Sequence, residues 1–379
     1  MPQPVAENKV VKTAAERVEV YMPLLEGNRI AMVVNQTSTI GSVHLVDSLF
    51  SLGVNIRKVF APEHGFRGDA DAGEKLTDGL DPKTGVPITS LYGKKRKPSK
   101  EDLEGIDLLV YDVQDVGVRF YTYISTMTLV MEACAEYGIP LVILDRPNPN
   151  GYYVDGPVLD TAWRSFVGMH PVPVVHGLTS GEFAMMITGE RWINSAESCD
   201  LTVIPCENYD HNTFYELPVK PSPNLPNSRS IYLYPSICFF EATVLSEGRG
   251  TNKQFQLYGH PALPDSGFSF TPVSMPGAKF PKLQDQLCYG EDLTTIPLET
   301  IRNQRRIDLG YLLKAYHQFP DKDNFFLKTD FFEKLAGNET LRQQIKAGMS
   351  EDQIRSSWQE DLTNYKIMRK KYILYKDFE

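Results

Sequence analysis

Between residues 29 and 145, short apolar runs alternate with helical patterns, and each run stops at a polar residue. Ile30 to Val34 is compact, rich in β-branched side chains, and ends at Asn35. Helical spacing follows from Val43 to Leu52, with Val43, Leu45, Val46, Leu49 and Phe50 on one face and Gly53 as its stop. Val54 to Phe60 reads as a second strand and runs into Ala61-Pro62-Glu63, after which the polar, glycine-rich stretch from His64 to Gly85 reads as a long loop. Ile106 to Tyr111 is a third strand ending at Asp112, and Tyr123 to Tyr137 is an amphipathic helix closed by Gly138. Ile139 to Leu144 is a fourth strand ending at Asp145. Strands joined by helical crossovers must lie parallel. The expected class is therefore α/β, with a Rossmann-like, doubly wound, mostly parallel sheet.

This arrangement carries a functional consequence. Open parallel sheets bind ligands outside the carboxyl ends of their strands. Asn35, Glu63, Asp112 and Asp145 should therefore converge on one rim. Past Gly151 turn signals become dense, with prolines at 157, 171, 173, 221, 223 and 226, a helix opening at Thr179, and mostly helical patterning from Leu335 to Tyr375. We divide the chain near residue 228: a Rossmann-like catalytic domain over 1–228, and a smaller α+β C-terminal domain over 229–379 that closes the cleft.

Composition removes several classes. A net charge of −9 over 379 residues argues against a nucleic-acid partner. The one compact basic run, Lys94-Lys95-Arg96-Lys97, reads as a solvated turn. Five scattered cysteines form no metal-ligand spacing and read as buried thiols. No apolar run approaches the ~20 residues of a membrane span. The opening Met1-Pro2-Gln3-Pro4 lacks a signal-peptide pattern, which taken literally means cytoplasm. Serine-hydrolase elbow, Walker, zincin and dinucleotide motifs are absent from the sequence.

Five segments concentrate chemistry. Glu63-His64-Gly65-Phe66-Arg67-Gly68 puts a carboxylate, an imidazole and a guanidinium just beyond a strand, and burial could raise the pKa of Glu63 enough for general acid work. The bland alternative is a Glu63–Arg67 loop ion pair. From Asp112 to Tyr121, the carboxylates Asp112 and Asp115, the amide of Gln114, Arg119 and aromatics supply what a sugar site needs: hydrogen-bonding groups for hydroxyls, aromatic faces for the ring, and an arginine for an acidic substituent. Asp145-Arg146-Pro147-Asn148-Pro149-Asn150-Gly151 is a stiff loop from which Asp145 or Asn148 could reach the rim. Thr179 and Glu182 fit a helix capping box, which leaves His176 unexplained. Glu241 to Thr251 holds Glu247 and Arg249 between glycines, either a structural ion pair or a cleft wall.

Taken together, Ala61-Pro62-Glu63-His64-Gly65, Ser90-Leu91-Tyr92-Gly93, Asp112 through Tyr123, Leu144 through Pro149, Pro221-Ser222-Pro223-Asn224 and Ser246 through Thr251 resemble a bacterial family of exo-β-N-acetylmuramidases, formerly a domain family of unknown function. The likeness runs from about Asn28 to Tyr375. It departs at Leu178 and Ser180, where Met and Ile are expected, and at Ala242, where Gly is expected. The resemblance implies a cleft between two domains and removal of terminal N-acetylmuramic acid (MurNAc) from MurNAc-GlcNAc or muropeptide fragments during cell-wall recycling. It implies neither metal nor cofactor, and a substrate location that makes the protein periplasmic or secreted, with cytoplasm as the alternative.

Under that reading Glu63 is the general acid, and Asp112, Asp115 or Glu247 supplies the second group, unless the substrate's acetamide does so. Asn35, His64, Arg67, Gln114, Arg119, Tyr121, Tyr123, Asp145, Asn148, His176, Glu182, Glu241 and Arg249 are the candidate substrate contacts. Arg67 or Arg119 is expected to meet the lactyl carboxylate. A non-catalytic muropeptide-binding envelope protein and a peptidoglycan esterase or amidase are the competing readings. The latter would need an activated nucleophile that the sequence does not display.

Overall fold

A computed structural model describes residues 10–63, 65–67 and 78–379. The strands, in chain order, are β1 (Ile30–Val34), β2 (Thr39–Ile40), β3 (Val43–His44), β4 (Ile56–Ala61), β5 (Gly79–Leu80), β6 (Pro87–Ser90), β7 (Leu108–Asp112), β8 (Leu141–Leu144), β9 (Leu201–Ile204), β10 (Leu257–His260), β11 (Ser269–Phe270) and β12 (Cys288–Asp292). The main sheet runs β5-β6-β4-β1-β7-β8-β9, parallel except for the edge strand β5. Without that edge strand, the six parallel strands follow the order 3-2-1-4-5-6 of a dinucleotide-type doubly wound sheet. The strand order reverses between β1 and β7, the switch point beside which such sheets bind ligands.

The sheet is covered on both faces, so its central strands are apolar throughout. Side chains alternate faces along a strand. Ile30, Met32 and Val34 join the core that contains Tyr21 and Leu25 of helix α1 (Val18–Leu25) and Leu45, Val46 and Leu49 of α2 (Leu45–Ser51). Ala31 and Val33 face the other way, into the core of α3 (Tyr123–Tyr137) and α4 (Ser180–Gly189). The α3 boundaries match the sequence expectation, and Gly138 takes the left-handed conformation that stops the helix. The α2 region differs from expectation. His44, rather than Val43, opens the helix: its Nδ1 accepts from the Val46 amide, while Val43 sits exposed in the small β2–β3 arm.

The smaller C-terminal domain begins with α5 (Ser228–Ile237), adds the antiparallel β10-β12-β11 sheet, and ends in the helices α6 (Leu298–Asn303), α7 (Gly310–Gln318), α8 (Phe331–Ala336), α9 (Thr340–Lys346), α10 (Glu351–Ser356) and α11 (Gln359–Arg369). Its aromatic core, including Phe239, Phe240, Tyr258, Phe325 and Phe332, is continuous with the α3/α4 side of the main sheet. After α11 the tail returns to the first domain. The Tyr375 hydroxyl donates to Asp145, and the Leu374 amide donates to Glu182. The five cysteines are buried and unbridged.

Candidate active site

Register brings the site together. The end of β4 pairs with the end of β6, Ala61 opposite Ser90, and the Leu91 amide donates to the Ala61 carbonyl. Two residues past Ala61 stands Glu63, and two past Ser90 stands Tyr92. The phenol of Tyr92 lies close to the Glu63 carboxylate, and burial together with that charge pushes it up to about 12. Thr122, which caps α3, donates its hydroxyl to Glu63 Oε2 at 3.2 Å. Beneath them Tyr123 donates to the Glu63 carbonyl at 3.3 Å, and Tyr121 donates to the Pro221 carbonyl at 2.7 Å.

These groups line a cavity of about 380 Å³ between the rim of the sheet and the second domain. Aromatic side chains form much of its wall: Tyr92, Phe120, Tyr121, Tyr123, Phe166, Tyr234, Phe255 and Phe331. Its polar lining comes from Glu63, Arg96, Ser222 and Asn224 of the first domain and from Glu241 and Arg249 of the second. Asn224 is buried and presents an Oδ1 without a protein partner.

Glu241 and Arg249 form one end of a charge relay. The Arg249 guanidinium donates to Glu241 at 2.7 Å and lies 3.3 Å from Glu247, which Lys282 approaches at 2.7 Å from the other side. Burial alone would raise the pKa of Glu247, but Lys282 and Arg249 outweigh it and hold the carboxyl below its ordinary value. Gly248 permits the tight loop. Its φ is 86°, and a Cβ there would come within 2.7 Å of the Lys253 carbonyl.

Of the residues singled out in the sequence, Glu63, Tyr121, Tyr123, Glu241 and Arg249 line the cavity. Asn35 is fully buried and does not line the cavity; its Oδ1 accepts from the Thr37 amide and hydroxyl. His64 lies outside the described residues. The remaining candidates are drawn into the protein. Asp112 forms a fully buried bidentate pair with Arg146, at 2.5 and 2.9 Å. Asp115 is buried, accepts from the Gly117 amide at 2.6 Å, and is raised to about 7 by desolvation. Glu247 stands behind Arg249 and only 2% exposed. None of these three carboxylates lines the cavity.

Arg67 does not pair with Glu63. It binds Asp47 at 2.9 Å and Asp81 at 2.8 Å and stacks on Phe66, which pins its loop to α2. Arg119, 1% exposed, spends its guanidinium on the carbonyls of Pro157, Val172 and Leu335, and burial lowers its pKa to about 9. Neither arginine faces the cavity, which corrects the expectation that one of them meets a lactyl carboxylate. Gln114 donates to the carbonyls of Asp115 and Pro147, and Asn148 to that of Leu178. His176 is packed against Phe183, and burial together with Arg369 and Arg119 pushes it down to about 3. Glu182 closes the capping box on Thr179 and also accepts from the Leu374 amide, with the His211 ring 3.0 Å away.

Sequence reasoning missed Tyr92, Arg96, Thr122, Phe166 and Asn224 in the cavity. Tyr92, Thr122 and Asn224 lie inside segments already singled out. Arg96 lies in the basic run read as a solvated turn. There, Lys95 pairs with Asp102 and Lys97 with Glu132 and Glu136, while Arg96 turns onto the Phe166 ring. Among the described residues no group of three or more His, Cys, Asp or Glu side chains could hold a metal. No described helix is long and apolar enough to cross a membrane.

Comparison with known proteins gives a consistent result. A family model described as exo-beta-N-acetylmuramidase NamZ, N-terminal, matches residues 30–229, and its C-terminal counterpart matches residues 232–375. The chain is 39% identical over 374 residues to the peptidoglycan beta-N-acetylmuramidase NamZ of Bacillus subtilis (strain 168), covering 94% of this chain and 89% of that protein. Among solved structures it is similar to two DUF1343 family proteins from Bacteroides fragilis. One is 48% identical with a TM-score of 0.91, covering 97% of this chain and all of that one. The other is 28% identical with a TM-score of 0.81, covering 97% and 99%.

Proposed function

The chain belongs to the exo-β-N-acetylmuramidase family and is a glycosidase, and from that premise we propose that it releases terminal MurNAc from peptidoglycan fragments with Glu63 as the proton donor. The observation that carries this reading is the setting of Glu63: a carboxyl group open to an aromatic-walled cavity, held by the Thr122 hydroxyl with the Tyr92 phenol beside it. Glu241, the other carboxylate among the described cavity residues, has its charge matched by Arg249. A carboxyl with neutral partners can carry a proton to a substrate. One locked to a guanidinium serves better as a fixed anion.

In the proposed step Glu63 gives its proton to the glycosidic oxygen as the bond from that oxygen to the anomeric carbon breaks. Water supplies the new oxygen at that carbon and a proton to the medium or to the enzyme. The ring of the departing sugar lies against the aromatic walls, and Asn224 Oδ1 offers an acceptor for a hydroxyl or amide hydrogen. A cavity of this size suits one substituted amino sugar better than a longer run of residues, which supports removal of a single terminal unit. We place the site of action in the periplasm or outside the cell, where the polymer lies, and cell fractionation checks that part of the reading.

Glu63→Gln tests the central claim, because the amide keeps the shape and loses the acid. Release of chromophore from a chromogenic MurNAc glycoside should fall by about 10²–10⁴-fold, with no change in thermal midpoint. Turnover within threefold of the parent would overturn the assignment of Glu63. A parent protein without activity on that glycoside would overturn the substrate.

A further inference from the structure

We infer that Arg96, placed over the Phe166 ring, is the group that recognises the carboxylate of the substrate's lactyl substituent and so separates MurNAc from GlcNAc. The inference rests on the proposed substrate. MurNAc differs from GlcNAc by a lactyl ether that carries one negative charge. A cleft that prefers the charged sugar needs a cation not already neutralised by the protein. Most cations around this site are committed: Arg67 to Asp47 and Asp81, Arg146 to Asp112, Arg249 to Glu241 and Glu247, Lys282 to Glu247, and Arg119 to three carbonyls. Arg96 lines the same cavity as Glu63 and has no carboxylate partner among the described residues.

Among the described residues its contact is the Phe166 ring, whose centroid lies 4.2 Å from the guanidinium carbon. An aromatic face attracts a cation without cancelling its charge. A guanidinium resting on a ring keeps its N–H groups for other partners, and that planar fork matches a carboxylate bidentately. The Tyr92 phenol feels both the Glu63 and the Arg96 charges, so the two groups act on one small volume. The carboxylate site therefore lies beside the proposed acid rather than in a remote pocket. Lysine could supply the charge but neither the plane nor the fork.

Binding reads this out separately from catalysis. Titration calorimetry should compare MurNAc with its methyl ester, which keeps the lactyl group and removes its charge. The parent protein should prefer the acid by at least about tenfold. Arg96→Ala should bind acid and ester alike, at the parent's affinity for the ester, and Arg96→Lys should recover part of the preference. Retention of the full preference by Arg96→Ala, or equal loss of affinity for acid and ester, would overturn the role. A parent protein that binds acid and ester alike overturns this inference and leaves the hydrolase reading standing. One that binds neither overturns both.

Discussion

Glu63 and Asp145 both follow the carboxyl end of a buried parallel strand, yet the two ends of the rim have opposite fates. At the β4 end, Glu63 meets two hydroxyls and then open space. At the β8 end, Asp145 accepts from the Thr179 hydroxyl at 2.7 Å, the Gly181 amide at 2.8 Å and the Tyr375 hydroxyl at 2.6 Å, and none of it is exposed. The close fit at Gly181, where a Cβ would come within 2.9 Å of the Asp145 carboxyl carbon, makes that amide bond possible. Next to it Glu182 and His211 seal the same tail. A polar residue at a strand end is thus a site only if its hydrogen-bonding capacity is left unspent. One half of the rim borders the aromatic-walled cavity, and the other is an anchor for the C-terminus.

The largest expected effects separate the two halves by kind. Glu63→Gln should remove turnover by about 10²–10⁴-fold and leave stability untouched. Asp145→Ala should do the reverse. Three buried donors lose their acceptor at once, and stability to urea should fall by about 3 kcal/mol, while turnover per folded molecule stays within twofold. If Asp145→Ala lost turnover without losing stability, the β8 end would belong to the site and the comparison would fail.

Asp115 sharpens the contrast through pH. Desolvation raises its folded-state pKa to about 7, against ~3.9 for an unfolded aspartate. A carboxyl raised on folding favours the native state in its neutral form. Its contribution is complete below about pH 4 and is lost as pH rises through about 7. Asp145 has the same sign, ending at about 6. Asp115→Asn keeps an acceptor for the Gly117 amide and puts an NH₂ where Oδ2 now lacks a partner. Denaturation series at about pH 3.5 and pH 8 should therefore show equal stability at the lower pH and a gain on the order of 4 kcal/mol over the parent at the higher one. An unchanged slope with pH would mean that Asp115 is not the buried acid described.

The sheet was legible because burial on both faces forces continuous apolar strands. The α3 helix was legible because its 3.6-residue pattern ends at a glycine. The error at Val43 came from the cap: His44 performs by ring geometry what hydrophobic spacing alone does not reveal. Glu63 could be found from its position after a strand. What the sequence could not show was which neighbouring polar groups find partners far along the chain. Arg119 ends on the Leu335 carbonyl, and Asp145 on Tyr375, so two plausible sugar contacts became internal struts. The opposite happened at Arg96, where a local charge run suggested solvent and Phe166 turned one member into the cleft. Motif and strand-end position locate the rim, and tertiary hydrogen bonds decide which part of it remains available.

Tyr375→Phe isolates the smallest term in this comparison, a single hydroxyl joining the tail to the rim. The ring keeps its edge contact with Tyr209, 4.9 Å between centroids, so packing is preserved and only hydrogen bonds are lost. Two are affected: the donation to Asp145, and the acceptance from the Cys206 amide at 2.9 Å. Thr179 and Gly181 still satisfy Asp145, so the expected loss is about 1 kcal/mol, less than for Asp145→Ala. Hydrogen exchange should localise it, with faster exchange at the Leu374 and Cys206 amides and no change at Thr122 or Tyr123 beside Glu63. Exchange accelerated equally at both ends would mean that the anchor and the cleft open as one unit, and that the tail holds the proposed acid in place.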